Sequence, residues 1–135
     1  MGVHDCRLIS AAVNRDERGV LTALQAGTDL PFEPRRVFFL TDVRAGAERG
    51  DHAHRLQSQA LVCVQGQVDV RLDDGREVRE LELPADGSVL LVEPMIWVTL
   101  SHFPPHAVVA VLLSDCFDPA EFVRDYQEFR SLQGL

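Results

Sequence analysis

"RGDHAHRLQSQALVCVQG", residues 49–66, decides how this chain is read. Two histidines, His52 and His54, stand one residue apart. In extended backbone, residues i and i+2 point to one face, so both imidazoles look the same way and Ala53 looks the other. The apolar run "QALVCVQ" follows, closed by a glycine, which is the pattern of a buried strand. The same grammar recurs in "VLTAL", "RRVFFLTDV", "QVDVRL", "EVRELEL", "SVLLVE", "WVTLSHF" and "AVVAVLLS". Turn signals such as "DERG", "RAGAERG", "DDG" and "PADG" separate these runs. Many short strands with regular punctuation predict an all-β sandwich or barrel. Val78, Leu81 and Leu83 do not share one face, which predicts a bulge or an early end in that strand.

The 135 residues fit one domain, 1–135, and 46% hydrophobic residues suffice for a packed core. Net charge is −8, which argues against nucleic acid and acidic membranes as partners. An anionic substrate therefore requires a local cluster of arginines. No run approaches the roughly 20 apolar residues of a membrane span. The start, "MGVHDCRLIS", lacks the basic flank and apolar stretch of a signal peptide. Cys6, Cys63 and Cys116 are odd in number and widely spaced, so reduced thiols and a cytoplasmic location are expected.

The C-terminal "DPAEFVRDYQEFRSLQ" reads differently. Asp118 is an N-cap candidate, Pro119 suits the first helical position and Glu121 the capping-box position. Phe122, Tyr126 and Phe129 recur at helical spacing, which predicts one amphipathic helix over about 118–133 packed on the barrel.

The spacing of Gly46, His52, His54, Gln59 and Gly66 resembles the first motif of the cupin barrels, with Gln59 where a metal-binding cupin carries Glu. The second motif falls on "GSVLLVEPMIWVTL", with Ile96 in place of its Gly and Thr99 in place of its ligand His. The expected fold is a double-stranded β-helix, or jelly-roll, barrel with one C-terminal helix. Two imidazoles, an amide and a hydroxyl are a poor set for a divalent transition metal, so neither metal nor cofactor is expected. Imidazole titrates near about 6.5 and stays mainly neutral in a partly desolvated pocket, the state a general base needs. The competing reading is a pair of hydrogen-bonded core histidines.

The chain resembles the WxcM-like cupins that act as nucleotide-sugar 3,4-ketoisomerases. The resemblance rests on "DERGVL", "LPFEPRRVFFLTDV", "RGDHAH", "GQVDVRLDDG", Pro94 with Trp97, and "SDCFDPAEFVRDYQEF", in order along nearly the whole chain. It implies conversion of a dTDP-linked 4-keto-6-deoxyhexose to its 3-keto isomer through an enediol, without metal. It also implies a homodimer with an exchanged N-terminal strand. By the same resemblance His54 carries the proton between C3 and C4 and His52 orients the sugar or shuttles a hydroxyl proton. Arg49 and Arg36 are the candidates for the diphosphate, and Arg49 also for the developing oxyanion. Phe38, Phe39, Gln59, Trp97 and Thr99 are the further candidates for the substrate pocket.

The chain departs from the family at Phe38 and Phe39, where a tyrosine pair is usual; the phenyl rings keep the volume and lose the hydroxyl. His52, Thr41, Tyr126 or water are the expected substitutes. A sugar-nucleotide-binding protein without activity, a related sugar epimerase and a metal-dependent cupin are the alternatives.

Overall fold

The computed structural model describes residues 2–135. Its strands are β1 (Arg7–Ser10), β2 (Ala12–Asp16), β3 (Gly19–Ala23), β4 (Arg36–Thr41), β5 (Arg49–His54), β6 (Gln59–Gln65), β7 (Gln67–Asp73), β8 (Val78–Pro84), β9 (Ser88–Val92), β10 (Trp97–Ser101), β11 (Val108–Leu113) and β12 (Phe122–Val123), and its one α-helix is α1 (Tyr126–Leu132). Two five-stranded sheets, ordered β1-β9-β6-β11-β4 and β12-β5-β10-β7-β8, pack face to face. Every strand pairing is antiparallel. The expected jelly-roll barrel is there, and each apolar run quoted above contributes a strand to it except "VLTAL", which forms β3 of a separate hairpin with β2.

Three apolar clusters hold the layers. The first fills the space between the sheets: Leu61, Cys63, Val70, Leu72, Leu83, Leu90, Val98, Leu100, Val109 and Val111 all lie in it. The second sits on the outer face of the first sheet, where Leu30, with Leu24 and Phe32, covers Ala60, Val62, Val89, Leu91 and Ala110. The third sits on the outer face of the second sheet, where Phe129 and Tyr126 of α1 meet Ala53, Trp97 and Val123. Strands buried on both faces read as continuous apolar runs, which is why "QALVCVQ" does not alternate.

The C-terminal helix is shorter than the sequence predicts. Asp118 caps a 3-10 turn, Pro119–Glu121, through a bond from the Ala120 amide. The chain then turns extended, and Phe122 and Val123 pair with His54 and Ala53 of β5. The α-helix starts only after Asp125, whose carboxylate accepts from the Gln127 and Glu128 amides. Edge pairing with β5 outcompetes helix propensity at two β-favouring residues, and a second N-cap restarts the helix. Phe122 therefore leaves the aromatic stripe. Nor does β8 bulge: it pairs with β7 in unbroken register from Gln67 opposite Pro84 to Asp73 opposite Val78. The apolar side chains simply lie on both faces, with Leu83 buried and Val78 exposed.

The hairpin β2–β3 pairs with no other strand, and all five residues of β3 are exposed. β1 pairs with β9 of its own chain.

Candidate active site

The site is built by a fault in the ladder between β5 and β10. His52 lies opposite Val98, but Gly50 lies opposite Thr99, so β5 uses one extra residue there. Bulges of this kind re-aim the side chains beside them. Gly50 has φ +91°, and a Cβ on it would stand 2.6 Å from the Val98 carbonyl oxygen, so only glycine fits. Asp51 also has positive φ, at 55°. Its carboxylate is held by the Thr99 hydroxyl, which donates at 2.8 Å.

The bulge turns His52 into a cavity of about 550 Å³ between the sheets. Arg36 and Phe38 come from β4, Arg49 and Gly50 from β5, Gln59 and Leu61 from β6, and Val98 and Leu100 from β10. Phe117, Phe122 and Arg124 close it from the C-terminal segment, and Glu48 stands at it from the loop before β5. Three arginines face one carboxylate, so the cavity is cationic in a chain of net charge −8. The Arg36 guanidinium lies 4.9 Å from the ring centres of both Phe38 and Phe117, and that of Arg124 lies 4.5 Å from Phe122. Such stacking fixes a guanidinium while leaving its N–H fork for an anion.

His52 Nδ1 lies 2.9 Å from the Gly50 carbonyl oxygen. A carbonyl only accepts, so Nδ1 carries the hydrogen and Nε2 keeps the lone pair. Burial, with Arg124 adding to it, lowers the His52 pKa below the ordinary imidazole value, so the ring is a free base at neutral pH. His54 stands behind it. The two rings meet edge-on with centroids 5.1 Å apart, and Phe122 covers both at 5.0 and 4.8 Å. His54 is 3% exposed and does not line the cavity. Burial, then the neighbouring His52, Arg36 and Arg124, push its pKa down to about 4.

The structure thus brings His52, Arg36, Arg49, Phe38 and Gln59 together, with His54 one layer deeper. Phe39 is next to Phe38 but faces the opposite side of β4, pairs with Ala110 and is 61% exposed; it meets the cavity only at its rim. Trp97 and Thr99 are not brought to the cavity. Val98 and Leu100 take the inward positions of β10, so Trp97 turns out to Tyr126 and Phe129. Tyr126 donates its hydroxyl to Asp73 at 2.7 Å in the same outer cluster, and Thr41 is exposed on β4. Neither supplies a hydroxyl to the cavity.

Sequence reasoning missed Glu48, Phe117, Phe122 and Arg124. The signal for the last two was the "FV" pair ahead of a second capping residue, Asp125, which marks a strand rather than a continued helix. Among the described residues no three of His, Cys, Asp and Glu converge as a metal site would require.

A family model described as "WxcM-like, C-terminal" matches residues 4–134. A TDP-4-oxo-6-deoxy-alpha-D-glucose-3,4-oxoisomerase of Aneurinibacillus thermoaerophilus is 36% identical over 115 residues, 85% of this chain and 83% of that one. A sugar 3,4-ketoisomerase from Thermoanaerobacterium thermosaccharolyticum, solved in complex with TDP, superposes with a TM-score of 0.94 at 29% identity over 98% of this chain and 96% of that one. The TDP-quinovose 3,4-ketoisomerase of Campylobacter jejuni gives a TM-score of 0.89 at 32% identity, covering 96% of this chain and 99% of that one.

Proposed function

The chain belongs to the WxcM-like, C-terminal family, and from that premise we propose that it is a sugar-nucleotide 3,4-ketoisomerase acting on a TDP-linked 4-keto-6-deoxyhexose. The relatives described above are sugar 3,4-ketoisomerases, one of them a TDP-4-oxo-6-deoxy-alpha-D-glucose-3,4-oxoisomerase. The observation that carries the mechanism is His52: a neutral imidazole with Nδ1 tied to Gly50, on the wall of a cavity that holds three arginines.

A C–H bond beside a ketone is acidic because the electrons it releases spread onto the carbonyl oxygen. The base takes the C3 hydrogen as a proton. The C–H electrons become a C3–C4 double bond, and the carbonyl electrons move onto O4. O4 gains a proton, O3 loses one, the carbonyl re-forms at C3, and C4 receives a proton on carbon. Oxidation of C3 balances reduction of C4, so the reaction needs neither oxidant nor cofactor. The resemblance gave the carbon-to-carbon transfer to His54; the position of His52 on the cavity wall supports giving it to His52, with His54 as the ring behind it. Arg49 suits the oxyanion, and Arg36 and Arg124, each stacked on phenylalanine, suit the diphosphate. Phe38 contributes shape only, and among the described residues the cavity wall offers no side-chain hydroxyl, so the O3 and O4 protons pass through solvent while Nε2 of His52 carries the one taken from carbon.

The experiment is incubation with TDP-4-keto-6-deoxyglucose in deuterated water, followed by NMR. Deuterium at the exchanged carbon and a 3-keto product are expected. Absence of both, with this and with related nucleotide sugars, would remove the reading.

A homodimer is part of this proposal. Val20 and Leu21 of the unpaired hairpin and Val37 and Phe39 on the outer face of β4 are each more than half exposed. Exposed aliphatic and aromatic side chains of this kind favour a second copy of the chain. Light scattering after gel filtration tests it, with a mass near twice 15.0 kDa expected. Three free cysteines support work in the reducing cytoplasm.

A further inference from the structure

We propose that Glu121 is the positioning residue of the imidazole pair: its buried carboxylate holds the hydrogen of His54 on Nδ1 and leaves Nε2 as the only basic nitrogen of that ring. Nδ1 of His54 is fully enclosed and has no hydrogen-bond partner. An orphaned polar atom of this kind costs free energy unless something nearby answers it. Glu121 Oε2 stands 3.6 Å away, the one carboxylate within ion-pair distance of the ring among the described residues. That gap is too long for a hydrogen bond and short enough to decide a tautomer. A lone pair on Nδ1 would face a negative oxygen, whereas an N–H on Nδ1 would face an acceptor.

Glu121 is itself held with care. It is 8% exposed, and its two oxygens accept from the Leu56 amide at 2.9 and 3.1 Å and from the Gln57 amide at 2.9 Å. Those amides belong to the turn directly after His54. One carboxylate therefore pins both the turn and the ring that precedes it. The position arises because Phe122 and Val123 join the edge of β5, which carries Glu121 over the end of that strand.

The charges around His54 come from every side. Arg36 approaches from β4, His52 from its own strand and Arg124 from the segment after β12, all opposing a cation there. Glu121 is the one acidic group at the ring, 3.6 Å from Nδ1, among the described residues. The two imidazoles then share a single arrangement, each with Nδ1–H directed at an oxygen, that of Gly50 for His52 and that of Glu121 for His54. His52 then works against the edge of a second ring whose tautomer is fixed. Glu121 touches no substrate and acts only through His54.

For its consequence in turnover this rests on the ketoisomerase reading; for the tautomer it does not. Nitrogen-15 NMR of histidine-labelled protein reads the tautomer without any substrate. Wild-type His54 is expected to show a protonated Nδ1 and a bare Nε2; the opposite tautomer overturns the proposal whatever the activity. In Glu121→Gln, which keeps the shape and one acceptor oxygen, the Nδ1–H preference is expected to be lost. Its kcat should fall about 10²-fold with KM within about twofold, and Glu121→Asp should recover part of kcat. An unchanged tautomer or an unchanged kcat in Glu121→Gln overturns the proposal. A fall in kcat that merely follows a loss of folded protein, with the tautomer intact, overturns it too. Failure of wild-type protein to turn over any keto sugar would strike the isomerase reading and leave the tautomer result standing.

Discussion

Strands β5 and β10 lie side by side, and each carries a pair of candidate site residues at the same i, i+2 spacing. His52 and His54 of β5 face inward. Trp97 and Thr99 of β10 face outward, into an aromatic cluster and onto a bulge. Spacing settles that two side chains share a face; it does not say which face. On β10 the choice is made by Val98 and Leu100, which fill the space between the sheets. On β5 it is made by Ala53, small enough to sit beneath Trp97, Val123 and Phe129 on the other side. The cavity wall takes its imidazole from β5, and β10 supports it from the other side. Thr99 is the hinge between them, since its hydroxyl holds the Asp51 carboxylate of the bulge that aims His52.

The contrast can be broken or sharpened by substitution. The largest effect belongs to His52→Asn, which keeps size and polarity and removes the proposed base. Steady-state kinetics should show kcat lower by about 10³-fold, while calorimetry finds TDP affinity within about threefold. Trp97→Ala acts on the other strand and in the other currency. Losing a buried indole between Tyr126 and Phe129 should cost about 3–5 kcal/mol of stability, read from the denaturant midpoint. The remaining folded enzyme should keep its KM. A large rise in KM in that variant, with stability intact, would put Trp97 in the substrate pocket and break the comparison.

Protonation gives the next effect. His54 has a folded pKa of about 4 against an ordinary 6.5. Between those values the unfolded chain binds a proton that the folded chain refuses. Stability is therefore full above about pH 6.5 and falls as pH drops toward 4, by roughly 3 kcal/mol from this group. Denaturant titrations across that window should show the slope in wild-type protein and its flattening in His54→Gln. The smallest effect is Thr99→Val, which deletes one hydrogen bond, worth about 1 kcal/mol, from the bulge. Stability should fall by that amount, and kcat should fall only as far as His52 loses its aim.

Much of this was legible in the sequence, for physical reasons. Period-2 patterning and turn residues announced the strands, and the two histidines in "RGDHAH" announced the site. Arg36 and Arg49 were picked out through the family resemblance and the fit of a guanidinium to a diphosphate. The phase of β10 was not, because "WVTL" offers two plausible inward faces, Trp-Thr or Val-Leu, and only the opposing sheet chooses. The C-terminal segment failed differently. "DPAEFVRDYQEF" carries a full set of helix-start signals at Asp118, and a long-range pairing with β5 at Phe122 and Val123 overrules the first third of it. That pairing is what brings Phe122 and Arg124 to the cavity and Glu121 to His54. The expected roles of His52 and His54 were drawn from resemblance alone, and their order of depth in the barrel could not be read from spacing.

The most direct test of the account is the structure of the complex with a TDP-linked keto sugar, and in it the distance from Nε2 of His52 to the sugar carbons. The account predicts that Nε2 of His52 lies within about 3–3.5 Å of C3 or C4, with Nδ1 still on the Gly50 carbonyl and Trp97 remote from the ligand. A sugar ring lodged elsewhere, or His52 turned away from both carbons, would contradict it.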